Sequence, residues 1–157
     1  MDRPVFRRAF LHPRFWPLWL GLGLLWLVVQ LPYGALLRLG RGLGWLMYLL
    51  AGSRRRIATR NLELCFPQMP AAKRRQLLKE NFASTGIAFF EMAMSWWWPR
   101  HKLARLAHIE GIEHLQQAQA QGQGVILMAV HFTTLEIGAA LLGQVPCLLY
   151  TSDAADE

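Results

Sequence analysis

The longest run of apolar residues lies near the start of the chain, between Phe15 and Leu37. These twenty-three residues contain no charge, and Gln30 is their only strongly polar side chain. A helix of about 20 apolar residues is long enough to cross the hydrocarbon core of a bilayer. The pattern therefore predicts an N-terminal membrane helix, and residues 1–42 are assigned to a membrane anchor.

Two prolines interrupt this run and leave two forms of the anchor open. Pro17 fits a first helical turn, whereas Pro32 lacks the amide proton that a helix interior needs and would break or kink the helix. The segment could cross the membrane with a kink, which is the form we expect, or lie at its surface. Trp16, Trp19 and Trp26 suit headgroup depth in both arrangements.

A long helix is predicted from Ala71 to Trp98, immediately after Pro70. Its apolar residues, together with Thr85, recur at steps of four and three, which is the period of one buried helical face. The predicted face consists of Leu78, Phe82, Phe89, Met92 and Trp96. Two shorter segments also have helical signals: 43–51, which is too short to span a membrane, and 116–123, a Gln/Ala segment that ends at glycines.

The pattern changes to strand and helix towards the end of the chain. Val125 to Val130 is an apolar run typical of a buried strand, and Gly138 to Leu142 is typical of a short helix. This alternation favours an α/β fold class, of which the chain contains the helical part and the first strand–helix unit. Residues 43–146 are therefore assigned to the N-terminal part of an α/β domain.

The candidate chemistry follows the predicted strand directly. His131 and Glu136 lie five residues apart at the carboxyl end of the strand, where open α/β sheets build their sites. An imidazole can act as a general base, and a carboxylate on its far ring nitrogen fixes the tautomer and stabilises the imidazolium. Thr133-x-x-Glu136 also fits a capping box, with His131 at the edge of the core. The residues alone leave both interpretations open.

Positive charge is concentrated in the first sixty residues, which carry ten arginines and one aspartate, whereas residues 61–157 carry seven Lys or Arg and nine acids. Arg54, Arg55, Arg56 and Arg60 are weak candidates for substrate binding, and contact with anionic lipid headgroups explains them equally well. No recognisable nucleic-acid module accompanies them, so nucleic acid is not an expected partner. The arginines that follow the anchor weakly favour a cytoplasmic downstream domain.

Composition narrows the remaining chemistry. The chain is 54% hydrophobic and 17% charged, which is unusual for a soluble protein and favours contact with lipid. Cys65 and Cys147 form no CxxC pair, and His101, His108 and His114 show no ligand spacing. We therefore expect neither a metal site nor a redox site, and no cofactor.

Several segments together resemble the late acyltransferases of lipid A biosynthesis in Gram-negative bacteria, most closely the lauroyl-transferring members. The resemblance extends from about Phe10 to Gln144. It is carried by Leu11–Trp16, Leu25–Tyr33, Arg60–Pro67, Glu80–Phe82 and the His131-x4-Glu136 element. The last element alone is shared by many glycerolipid acyltransferases, so the specificity comes from the combination.

The resemblance implies an enzyme with a glycerolipid-acyltransferase-like α/β domain on the cytoplasmic side of the inner membrane. Such an enzyme moves a fatty acyl chain from acyl carrier protein to a hydroxyl group of the Kdo-bearing lipid A precursor. Matched residue by residue, His131 would be the general base and Glu136 its partner. The alternatives are a family member that uses palmitoleoyl or myristoyl chains, and a non-catalytic, membrane-anchored interaction protein.

The resemblance stops near Gln144, and residues 147–157 do not look like the family, whose members are longer. These residues resemble the translation of an adaptor used in sequencing libraries. We therefore expect a truncated sequence with an artefactual tail, inactive as a fragment. Genomic sequence beyond the codon for Pro146 tests this expectation.

Overall fold

The computed structural model of the chain describes residues 8–128, 130 and 132–142. Two short 3-10 turns, Arg8–Leu11 and Pro13–Phe15, precede the helices. The helices are α1 (Trp16–Val28), α2 (Tyr33–Leu50), α3 (Gly52–Cys65), α4 (Ala71–Trp97), α5 (Arg100–Leu103), α6 (Ile112–Ala120) and α7 (Leu135–Leu142). The predicted tail, residues 147–157, lies outside the described residues.

The predicted α/β fold class is wrong, because the described residues form helices and contain no strand. Residues 124–128 are irregular, and Ile126 and Met128 are 95% and 92% exposed. A strand needs a neighbour that completes its backbone hydrogen bonds, and an apolar run without such a neighbour does not form a sheet. The short helix predicted at Gly138 to Leu142 is confirmed as α7.

The predicted N-terminal membrane helix is also wrong. The apolar run is divided into α1, which ends at Val28, and α2, which begins at Tyr33. Pro32 lies between them and breaks the helix, since it has no amide proton to donate. Across the described part of the chain, no helix has both the length and the apolar character required to cross a membrane.

The centre of the fold is the antiparallel pair α2 and α4. Tyr33 contacts Glu91 at one end of the pair, and the rings of Tyr48 and Phe82 meet edge to face at the other, 5.6 Å apart. The pair therefore has two ends, one at Tyr33 and one at Tyr48. α1 joins the end that contains Tyr33, and α3 joins the end that contains Tyr48.

The two helices approach until their backbones touch, through Gly40, Gly44 and Gly86. A Cβ atom on Gly40 would lie 2.6 Å from the Cα atom of Ile87, and one on Gly86 would clash with the backbone of Gly40 and Gly44. Only glycine permits this approach, because it has no Cβ.

The long helix predicted from Ala71 to Trp98 is confirmed as α4, but its predicted buried face is only partly correct. Leu78 and Phe82 are buried, whereas Phe89 and Trp96 are 43% and 55% exposed. The other inward positions are taken by Gly86, Glu91, Ala93 and Met94. The buried face of α4 is rotated away from its large apolar residues, because α2 packs against a glycine of α4.

The carboxyl end of α4 supports α7. Ile137 and Leu141 of α7 are buried in one cluster with Met94, Trp98 and Val29, the residue that follows α1. The break after α1, the end of α4 and the inner face of α7 therefore share a single core.

Candidate functional site

The structure describes one residue of the predicted catalytic pair, Glu136. His131 lies outside the residues that the structure describes. Glu136 lies in the first turn of α7, and its side chain is exposed. No described residue donates a hydrogen bond to its carboxylate, and the partial positive charge of the helix N-terminus stabilises a negative charge at this position.

The orientation of Glu136 follows from the packing of α7. The next residue, Ile137, is buried against α4, and adjacent residues on a helix point in different directions. The helix begins with a turn in which the Leu135 amide donates to the Phe132 carbonyl at 3.1 Å. A carboxylate thus stands in solvent on a well-packed helix, five residues after His131, and is available to a donor that approaches from this turn.

A buried carboxylate that the sequence pattern did not predict lies in the last third of α4. Glu91 is 5% exposed, and its Oε1 atom accepts a 2.8 Å hydrogen bond from the Tyr33 hydroxyl. Its Oε2 atom has no partner among the described residues. Burial, and secondarily the hydrogen bond to Glu91, raise the pKa of Tyr33 to about 12, so this phenol remains a donor at neutral pH.

A second buried hydrogen bond lies beside this pair. The indole Nε1 atom of Trp98 donates to the Val29 carbonyl at 2.6 Å. Carbonyls at the end of a helix lack partners within it, so this contact satisfies a group that the break after α1 leaves unpaired. Together with the Tyr33–Glu91 bond, it fixes the direction in which α1 leaves the body of the protein.

The surface of α1 is apolar on every side. No residue of α1, which is described throughout, is buried. Its exposed large residues are Trp16, Leu18, Trp19, Leu20, Leu24, Trp26 and Leu27. A contiguous apolar surface of this kind marks contact with a partner or with lipid, rather than with water.

Two arginine runs that are separate in the sequence meet in a groove between α3 and the first turns of α4. The groove has a volume of about 430 Å³ and continues into a cavity of about 200 Å³. The arginines that line these two spaces are Arg55, Arg56, Arg60, Arg74 and Arg75. Of the predicted candidates, Arg54 is exposed but lines neither space. The turn between α3 and α4 brings Arg74 and Arg75 next to the arginines of α3, which the sequence alone did not indicate.

Comparison with known proteins identifies relatives along most of the chain. A family model described as bacterial lipid A biosynthesis acyltransferase matches residues 3–147. The lipid A biosynthesis lauroyltransferase of Escherichia coli K12 is 49% identical over 90% of the chain and 46% of its own length. The palmitoleoyltransferase of the same organism is 46% identical over 88% of the chain and 45% of its own length. The myristoyltransferase of the same organism is 32% identical over 90% of the chain and 44% of its own length.

The chain spans about half the length of the curated relatives it matches. No solved structure matches the chain.

Proposed function

Because the chain belongs to the bacterial lipid A biosynthesis acyltransferase family, we propose that the protein containing it transfers a lauroyl chain from acyl carrier protein to a hydroxyl group of the Kdo-bearing lipid A precursor. The family match over residues 3–147 carries this proposal. Lauroyl is favoured because identity to the lauroyltransferase is 49%, against 32% to the myristoyltransferase. Palmitoleoyl is the second candidate, since identity to that relative is 46%.

The proposed mechanism is direct transfer. His131 removes the proton of the acceptor hydroxyl, and the resulting alkoxide attacks the thioester carbonyl of the donor. The tetrahedral intermediate collapses, the carrier thiolate leaves, and the imidazolium returns the proton to it. These steps make and break every bond of the reaction without a cofactor, and general-base help of this kind supplies roughly 10²- to 10⁴-fold in rate.

Glu136 would hold the His131 ring and stabilise its charged form. Support comes from the exposed carboxylate on α7, which has no competing partner among the described residues. Glu136→Gln is expected to lower the rate of transfer while leaving the free energy of unfolding nearly unchanged. An unchanged rate combined with reduced stability would instead assign Glu136 to capping of α7.

We further propose that the protein works at the cytoplasmic face of the inner membrane, where α1 contacts lipid. The support is the apolar surface of α1, together with the cluster that joins Val29 to Ile137 of α7. An acceptor whose acyl chains lie in the membrane would then reach Glu136 close to the membrane surface.

Sedimentation with phospholipid vesicles tests this location. Leu20 and Leu24 are 74% and 64% exposed on α1. Their double replacement by serine is expected to lower vesicle binding roughly ten-fold or more, because each leucine contributes about 1.5–3 kcal/mol when fully buried in an apolar environment. Leu64→Ser, at a 63% exposed position on α3, is the matched control. Equal binding of both variants would contradict a membrane contact through α1.

The donor preference is tested with the product of the complete gene. Lauroyl, palmitoleoyl and myristoyl chains on acyl carrier protein are offered in competition to the Kdo-bearing precursor, and the products are separated by mass. We expect the lauroyl product to dominate. A dominant palmitoleoyl product would select the second candidate, and the absence of any acylated product would contradict the proposed function.

A further inference from the structure

The groove between α3 and α4 carries a strong excess of positive charge. Residues 52–80 contain eight Lys or Arg and two Glu, a net charge of +6. Five of these arginines line the groove and its continuation, and Glu63 is the carboxylate among the lining residues. Like charges confined to one concave surface create a potential that attracts an anionic partner.

The carboxylates of the described residues leave most of this charge unpaired. Glu63 forms a 3.0 Å ion pair with Arg60, and Arg74 donates to the carbonyls of the loop between α3 and α4. Arg56 and Arg75 pair with no carboxylate in the described part of the chain. Their guanidinium groups are therefore available to acidic groups from outside.

One arginine of the groove is held in place before any partner arrives. The Nη1 atom of Arg55 donates to the Tyr48 carbonyl at 2.8 Å, and its guanidinium carbon lies 5.1 Å from the centre of the Tyr48 ring. A guanidinium fixed in this way retains further N–H groups in a geometry that suits a carboxylate.

The position of the groove distinguishes between possible anionic partners. Arg75 lies near the beginning of α4, whereas α7 packs around Met94, so the rise of a helix separates them by roughly 30 Å. A phosphate of the proposed acceptor would reach the groove during transfer at α7 only if it lay roughly 30 Å from the reacting hydroxyl. A protein that presents its acyl group on an extended arm can dock at this distance.

We propose that the groove between α3 and α4 docks the acidic face of the protein that carries the acyl donor. This inference rests on the proposed function and extends it by assigning the docking surface. The basic groove receives the body of the carrier, and the acyl arm runs along α4 towards α7.

The experiment measures binding of fluorescently labelled acyl carrier protein to the product of the complete gene by anisotropy. Arg56→Gln combined with Arg75→Gln is expected to raise the Kd roughly ten-fold, because two attractive charge pairs are lost. Arg100→Gln combined with Arg105→Gln removes the same charge from exposed positions outside the groove and should leave the Kd within about two-fold of the original value. Binding of the unchanged protein should weaken as salt is added.

Transfer assays complete the test. The groove variant should show a raised KM for the acyl carrier donor, with a nearly unchanged rate from an acyl pantetheine thioester that lacks the protein. An unchanged Kd of the groove variant for the carrier would overturn the docking proposal. The proposed function would still stand if the unchanged protein transfers the acyl chain. If the groove variant lost binding to phosphatidylglycerol vesicles but still bound the carrier normally, this result would also overturn the docking proposal. It would assign the groove to lipid.

Discussion

At the scale of single residues, the Tyr33–Glu91 hydrogen bond determines how the first helix joins the body. A carboxylate that is only 5% exposed requires partners, and the Tyr33 hydroxyl is the one the described residues provide. The bond links the first residue of α2 to the last third of α4, close to the Trp98–Val29 contact. The two contacts together stabilise the break at Pro32.

Tyr33→Phe is expected to destabilise the fold by roughly 1–3 kcal/mol at neutral pH, because it leaves a buried acceptor without a donor. Urea unfolding measures this loss. Tyr48→Phe is the matched control, since the hydroxyl of Tyr48 forms no hydrogen bond within the described ranges and its ring contacts are retained. Equal stability of the two variants would contradict a structural role for the Tyr33 hydroxyl.

The same residue predicts a dependence on alkaline pH. The folded-state pKa of Tyr33 is raised from 10.0 to about 12. The contribution of its protonated form is therefore fully present below pH 10 and is lost as the pH rises through about 12. The free energy of unfolding should fall across this interval, and it should fall less in Tyr33→Phe. Identical slopes for the two proteins would show that Tyr33 titrates normally.

At the scale of the elements, the crossing of α2 and α4 depends on glycine. Gly86→Ala is expected to destabilise the protein by about 1–3 kcal/mol, because the added methyl group meets the backbone of α2, which cannot rotate aside. Gly42→Ala is the control on α2, where a Cβ would meet no atom of the described residues within 4 Å. It should stabilise the helix by up to about 1 kcal/mol. Thermal unfolding that moves both variants in the same direction would contradict the close packing.

The elements also show which features the sequence could predict. Pro32 and Pro70 mark helix boundaries correctly, because a missing amide proton acts locally. The buried face of α4 was only half predicted, because packing against the partner helix buries Gly86 and Glu91 and leaves the larger Phe89 and Trp96 exposed. The prediction of a strand at Val125 was wrong for a related reason. Strand pairing requires a neighbouring strand, which an apolar run does not supply.

At the scale of the whole molecule, the antiparallel pair separates two surfaces of opposite character. The apolar helix α1 and the candidate carboxylate on α7 share one end, and the arginine groove lies at the other. This arrangement suits a proposed enzyme that draws its acceptor from a membrane and its donor from a soluble carrier. The sequence indicated both surfaces by composition, but only the fold brings Arg75 to Arg56 and sets the groove apart from α7.

The catalytic pair remains a prediction from the sequence. Glu136 stands exposed on α7, and the role of His131 rests on the motif and on the family to which the chain belongs. The capping interpretation of Glu136 and the catalytic one differ in what they predict for the rate, so kinetics separates them.

The most direct measurement compares His131→Ala with the unchanged product of the complete gene, in membranes that contain equal amounts of the two proteins. The quantity measured is the rate of acyl transfer from acyl carrier protein to the Kdo-bearing precursor. We expect the substitution to lower this rate by roughly 10²-fold or more, because the general base is removed. An equal rate in the two proteins would contradict the proposed chemistry.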